Sequence, residues 1–342
     1  MEVSVGKQIC YDYRISFIRC LATVLILIIH IRQSFGLSNA GFPWFTAVPI
    51  FLMISGYLYG QKKIENPKMW LKSRIVKILI PYYLLLVINS FIVIFFTNQF
   101  NFVELLKGFF LFPSFKMSVF KMAHTWYMPY IIICYFITPL LERIFSKLHK
   151  MQKRGATPII LLLTMFAVLL ITQLLSYIPF YGNLSSVQIN IYIGAYYISK
   201  LKNDGRLKHN DILYFCIIGL LVAIILQFVI KLLPFNSFDV LAGLYKEGAL
   251  SYLFFGFLLF ITSKINFKKT EKVWKISDKF SFYIYLTHYW FTKMGWVNTF
   301  GNIFLPLSIV TYFVLVALCT VLLYYLNEKI IYKYFLKKRG FI

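Results

Sequence analysis

The sequence predicts an all-α integral-membrane protein, a bundle of about ten transmembrane helices with both termini in the cytoplasm. Three observations carry that expectation. Sixty per cent of the 342 residues are apolar and the mean hydropathy is +0.72, more than a water-soluble core of this length can hide. Apolar runs of about 18 to 24 residues recur from end to end, each long enough to cross about 30 Å of hydrocarbon. The net charge of +24 is unevenly placed: with the runs read as alternating crossings, about four fifths of the Lys and Arg fall on one side, the bias of cytoplasmic loops. In a soluble chain such a charge would point to nucleic acid. Here its distribution points to the bilayer as partner, and no nucleic-acid partner is expected.

The helices are expected at 15–35, 42–60, 75–96, 125–142, 158–178, 184–199, 211–233, 248–263, 280–298 and 303–327, in one membrane domain spanning residues 1–342. The first follows Lys7 and Arg14 with no small-residue cleavage site after it, so it reads as a permanent anchor. Lys62, Lys63, Lys68, Lys72, Arg74 and Lys77 crowd the connection from the second helix to the third and place it on the inner side. The connection at 97–124 holds L-L-K-G-F-F-L-F-P-S-F, too short to span and too greasy for an open loop, so it is expected to lie in the outer interface or to re-enter the protein. Pro139 is expected to end the fourth helix. The sixth and eighth are the shortest and carry Gly194 and Gly256. Basic segments at 143–157, 200–210 and 264–279 return the chain to the inner side. Cys10, Cys20, Cys134, Cys216 and Cys319 have no paired spacing, so neither disulfides nor a metal site is expected.

Chemistry is expected where ionisable groups enter the membrane, because placing them there is costly. Arg19 and His30 lie in R-C-L-A-T-V-L-I-L-I-I-H, eleven positions apart on the first helix. That is close to three turns, so both face the same way at roughly 16 Å along the axis. The twelve carboxylates all fall outside the middle of the expected helices, which argues against the acidic relay of a proton-coupled transporter. His288 is expected in mid-membrane on the ninth helix, one turn after Tyr285, either lining a pocket and orienting His30 or packing as a core histidine. His124 and Trp126 are expected at the outer end of the fourth helix, where Trp126 suits an interfacial anchor as well as a stacking platform. Ser55 and Gly56 mark a close helix contact or a kink.

Five stretches together resemble one family. They are Arg19 to His30 as R-X10-H, V-P-I-F-L-M-I-S-G-Y at 48–57, S-R-I-V-K-I-L-I-P-Y-Y at 73–83, H-T-W-Y-M-P-Y at 124–130 and S-F-Y-I-Y-L-T-H at 281–288. In order and spacing they are similar to the membrane acyltransferase-3 proteins. The resemblance implies an O-acyltransferase carrying acetyl from cytoplasmic acetyl-CoA, or another acyl-CoA, to a hydroxyl of a cell-surface polysaccharide or its lipid-linked precursor. It implies His30 and Arg19 as the catalytic pair, with Arg19, Arg74 and Lys77 at the donor. It implies no metal, and it makes the lipid bilayer, acyl-CoA, a carbohydrate acceptor and a polysaccharide synthase or export protein the partners. His124, Trp126, His288 and Tyr285 would then meet the acceptor.

Two departures stand out. The family's R-x-x-R has Lys at its second basic position here, Lys77, which keeps the charge but loses bidentate phosphate geometry. Where relatives carry an acidic residue three positions before the motif arginine, this chain has Ser16, with Asp12 the nearest carboxylate. A second resemblance, of P-Y-Y and S-F-Y-I-Y-L-T-H to the membrane component of poly-N-acetylglucosamine adhesin loci, implies an alternative role in polysaccharide export. A structural partner of a synthase is the third reading.

Overall fold

The computed structural model describes residues 11–34, 46–97, 101–111, 122–150, 186–203, 238–293 and 305–337, with isolated helical positions between 163 and 219. These residues form helices and no strand. In chain order they are α1 (Tyr13–Ser34), α2 (Ala47–Gly60), α3 (Pro67–Thr97), α4 (Phe102–Phe109), α5 (Tyr127–Lys150), α6 (Ser186–Asn203), α7 (Phe238–Ser263), α8 (Glu271–Lys293) and α9 (Leu305–Tyr324). Short 3-10 turns at Ala123–Trp126 and Lys268–Thr270 lead into α5 and α8, and a π-helix, Tyr325–Lys337, prolongs α9. The expected fifth and seventh helices, 158–178 and 211–233, lie largely outside the described residues, as does Cys10.

Among the described residues, four helical stretches are long and apolar enough to cross a membrane: Tyr13–Gln33, Pro67–Phe95, His124–Lys147 and Leu307–Ile331. A fifth forms if Gly248–Ser263 and Lys268–Phe291, which meet at 102°, are taken as one broken span. These account for four or five of the ten expected crossings, and two further helices differ from them in length or polarity. The described part of α2, 14 residues, reaches about 21 Å. α6 carries Gln188, Asn190, Lys200 and Lys202 along its length, too polar for a lipid-facing span.

These two helices sit inside instead. Nearly every residue of α6 from Ser186 to Ser199 is buried, as is most of α2. They cross backbone to backbone because α2 places Gly56 and Gly60 four apart on one face. A Cβ at Gly56 would overlap the Tyr192 carbonyl, and one at Gly60 the Tyr196 carbonyl. Ser199 Oγ donates to the Tyr57 carbonyl (2.5 Å) at the same crossing. The close-contact reading of Gly56 therefore holds. Longer helices surround this pair and turn Phe91, Phe95, Phe136, Val310, Leu318 and Val321 outward, as a lipid-facing perimeter requires.

Several boundaries move, each for a local reason. α3 begins at Pro67, with its first N–H groups met by Asn66, whose side chain accepts from Met69 N (3.1 Å). Arg74 and Lys77 are thus inside the helix. α5 runs through Pro139 rather than stopping there. Thr138 Oγ1 donates to the Cys134 carbonyl (2.7 Å) and bonds Tyr192 OH (2.5 Å), so the turn that proline disturbs is held by side chains. α8 starts at Glu271, with the Trp274 indole donating to Thr270 Oγ1 (2.8 Å).

These extensions change the reading of the carboxylates. Glu142 lies well inside α5, buried, accepting from Lys200 Nζ (2.7 Å) and Tyr196 OH (2.5 Å) and tying α5 to α6. Asp278 is two turns into α8. The greasy connection forms α4, capped by Asn101 accepting from Glu104 N (3.1 Å) and held on α3 by Tyr82 OH to the Gly108 carbonyl (2.8 Å). Phe102, Val103, Phe109 and Phe110 stay exposed, the face an interfacial helix presents to lipid. Cys20, Cys134, Cys216 and Cys319 carry free thiols.

Candidate active site

α1 and α8 run parallel and in register. Tyr13 OH donates to Glu271 Oε2 (2.7 Å), Phe17 meets Trp274 (ring centres 5.1 Å apart), Arg19 pairs with Asp278, and His30 lies against His288 (5.0 Å) and Tyr289 (4.9 Å). Residue numbers rise together on both helices, so a single partner receives both members of the R-X10-H pair. The carboxylate that Ser16 leaves out of α1 is supplied by Asp278 of α8, bonded to Arg19 Nη1.

The inner part of this seam is cationic and aromatic. The Arg19 charge lies in electrostatic reach of Tyr11, Tyr59, Tyr127 and Tyr135. Tyr59, Trp70 and Tyr135 pack edge-on in a triad with ring centres 5.1 to 5.8 Å apart, and Tyr59 OH donates to Tyr135 OH (3.5 Å). The Arg74 guanidinium stands 5.2 Å from the centre of the Tyr59 ring. Its Nε is buried without a hydrogen-bond partner among the described residues. In the loop between α2 and α3, burial pushes the Lys62 ammonium below the ordinary lysine range, and repulsion from Arg74 and then Lys77 adds to it. Three cations therefore converge here.

The outer part gathers three imidazoles, of which His124 and His288 are buried and His30 is half-buried. His30 Nδ1 bonds the Gln33 side-chain oxygen (2.7 Å), which places the proton on Nδ1 and makes Nε2 the basic nitrogen. His288 is fully buried, with its Nδ1 donating to the Tyr285 carbonyl (2.7 Å). His124 is also buried, and its Nε2 donates to the Leu286 carbonyl (3.0 Å). Tyr289 stacks on His124 (4.9 Å, 29°) and meets His30 edge-on, while Tyr285 OH donates to the His124 carbonyl. α8 thus fixes three imidazoles with its own backbone and rings. Among the described residues no group of three His, Cys, Asp or Glu is arranged to hold a metal ion.

An aromatic column links the two parts. Tyr59 and Tyr135 are followed by Tyr127, which Ser55 hydrogen-bonds and which lies in reach of Arg19. Tyr127 meets Tyr285 (5.6 Å), Tyr285 meets His124 (5.8 Å), His124 meets His288 (5.2 Å), and His288 meets His30. Of the residues singled out in the sequence, His30, His124, Tyr285 and His288 come together at one end. Arg74 and Lys77 gather at the other with Lys62 and Tyr59, which Arg19 also reaches. Trp126, half-buried, packs edge-on against Tyr130 (5.8 Å). His124, at the turn that leads into α5, is buried against the rings of α8.

Asp278, Tyr289, Gln33 and Lys62 were not foreseen. Asp278 had one readable signal: it precedes His288 by ten positions, nearly the Arg19 to His30 interval on a helix expected to run the same way.

A helical bundle with a largely buried cation at one level and a cluster of imidazoles at another has the parts that membrane-embedded group transfer needs. A family model described as an acyltransferase domain matches residues 12–326. The chain belongs to this acyltransferase-3 family, and it is a membrane acyltransferase. Comparison with curated proteins gives no match, and comparison with solved structures gives none.

Proposed function

We propose that this protein is an O-acetyltransferase of the cytoplasmic membrane, moving acetyl from cytoplasmic acetyl-CoA to a hydroxyl of a cell-surface polysaccharide or its lipid-linked precursor. The observation that carries the reading is the shared seam: α8 holds Arg19 at its first turns and His30 at its last, with aromatic rings between them. The donor is a polyanion on a long thin arm. Lys62, Arg74 and Lys77 meet its phosphates from the inner side, and the unpartnered Arg74 Nε is a donor suited to such a group. The aromatic column gives the uncharged pantetheine arm an apolar wall with hydroxyl edges.

Arg19, oriented by Asp278, presents N–H donors to the arm or the thioester as it passes. His30 Nε2 takes the proton from the acceptor hydroxyl as its oxygen attacks the thioester carbonyl, and the Gln33 bond keeps the ring in the required tautomer. Tyr285, His124 and His288 line the acceptor end, and Trp126 lies beside it as a stacking surface. Both termini are cytoplasmic in this reading.

The test uses purified protein in nanodiscs with radiolabelled acetyl-CoA and oligosaccharide acceptors. Label should move to the acceptor or be released by hydrolysis, and both should stop in His30→Ala. Polymer export that continues unchanged with no acetyl turnover would overturn the proposal.

A further inference from the structure

We propose that His288 is a positioning residue that acts through His30 by taking up the abstracted proton, with His124 completing a three-imidazole chain; this rests on the acyl-transfer reading above. The inference starts from two nitrogens. With Nδ1 donating to the Tyr285 carbonyl, His288 carries a bare Nε2, buried and without a hydrogen-bond partner among the described residues. With Nε2 donating to the Leu286 carbonyl, His124 carries a bare Nδ1 in the same condition. Buried acceptors left unsatisfied in this way are rare. Two of them on neighbouring rings make a place for one proton.

The spacing fits. An N–H···N bond of about 2.9 Å puts imidazole centres about 5 Å apart. His30 and His288 are separated by 5.0 Å, and His288 and His124 by 5.2 Å. Tyr289, 4.9 Å from both His30 and His124, gives the chain a π surface that favours a cation.

The step balances without a further reagent. The acceptor O–H breaks, its proton goes to His30 Nε2, and its oxygen bonds the thioester carbonyl carbon. His30 Nε2–H then donates to His288 Nε2; transfer makes His288 Nε2–H, which donates to His124 Nδ1, so both orphaned lone pairs are met while the tetrahedral adduct exists. When the C–S bond breaks, the proton returns through His30 to the departing thiolate. The titratable groups facing His288 are His30 from α1, His124 from the turn before α5, and Tyr285 and Tyr289 from its own helix, while α9 brings the Thr320 hydroxyl to Thr287 (2.9 Å).

The experiment has two arms on full-length protein in nanodiscs. In the kinetic arm, His288→Gln should lower kcat about a hundredfold with little change in KM for acetyl-CoA, and free imidazole should restore turnover to His288→Gly. The dependence of rate on solvent deuterium, curved for two protons in flight, should become linear in His288→Gln. In the second arm, nitrogen NMR of histidine-labelled protein, followed as pH is lowered until His30 gains a second proton, should show that proton shared by His30 and His288, and confined to His30 in the variant. A lower kcat with the same curvature and no rescue would mean His288 only packs, and the relay falls while acyl transfer stands. A shared proton in a protein that transfers no acyl group would overturn the acyl-transfer reading and leave the pair intact.

Discussion

The two ends of α1 solve opposite electrostatic problems. Arg19 is a permanent cation that keeps a fifth of its side-chain surface and answers its charge with a carboxylate, Asp278, itself 24% exposed. His30 lies beside buried rings, and it meets an amide, the His288 imidazole and the Tyr289 phenol. A fixed cation must be paired where water is scarce, since its desolvation is otherwise too costly. A base must stay unpaired with charge if it is to change its protonation during the reaction. One helix pair supplies both conditions because its partner carries acid at one level and only neutral groups at the other.

The largest effect expected from breaking this contrast is at the neutral end. His30→Ala should lower acetyl turnover at least a hundredfold and leave folding intact, because the ring sits at the end of α1 beside exposed Gln33. Size-exclusion profiles and turnover on the same preparation check both halves. Next comes the charged end. Arg19→Ala should impair donor use and also destabilise the protein, since it strands Asp278. The double variant Arg19→Ala, Asp278→Asn should recover thermal stability without recovering activity. If the double variant were as unstable as the single one, the pair would not be the reason for the loss.

Arg74→Ala should act more mildly and on binding alone. It should raise KM for acetyl-CoA by about tenfold, the cost of one charge-assisted hydrogen bond of roughly 1.5 kcal/mol, and leave kcat near wild type. Donor KM should also rise with ionic strength in the wild type and less steeply in the variant.

This asymmetry explains what could be read in advance. The R-X10-H pair, the helical class and the close contact at Gly56 follow from local spacing, because a helix fixes which residues share a face. Asp278 was hidden by a boundary: with α8 expected to start at 280, it fell in a loop, and only the turn at Lys268–Thr270 reveals that it is helical. The burial of His124 was hidden for a different reason. Its position beside an aromatic run looks the same in sequence whether the segment faces water or tucks under Leu286, and that choice is made by α8, more than a hundred residues away. The interior status of α2 and α6 was legible in part, through Gly56 and Gly60, but the near-complete burial of the polar helix α6 comes from its partners, which apolar content alone does not weigh.

The smallest expected effect sharpens the charged end. Lys62 loses its proton more easily in the folded protein than in the unfolded chain, because it is partly buried and then repelled by Arg74 and Lys77. Between the lowered folded value and the ordinary lysine value the unfolded chain therefore holds more protons, so stability rises with pH across that window. A bound polyanion reverses the balance: it favours the ammonium, and binding in that window must draw protons from solution. Calorimetry of acetyl-CoA binding in two buffers of different ionisation enthalpy should register uptake of a fraction of a proton per donor on the alkaline side, with affinity falling as pH rises. Lys62→Met should remove both the uptake and the alkaline decline while leaving His30-dependent turnover in place. Proton uptake that persists in Lys62→Met would move the donor phosphates away from this loop and leave the seam between α1 and α8 without its inner anchor.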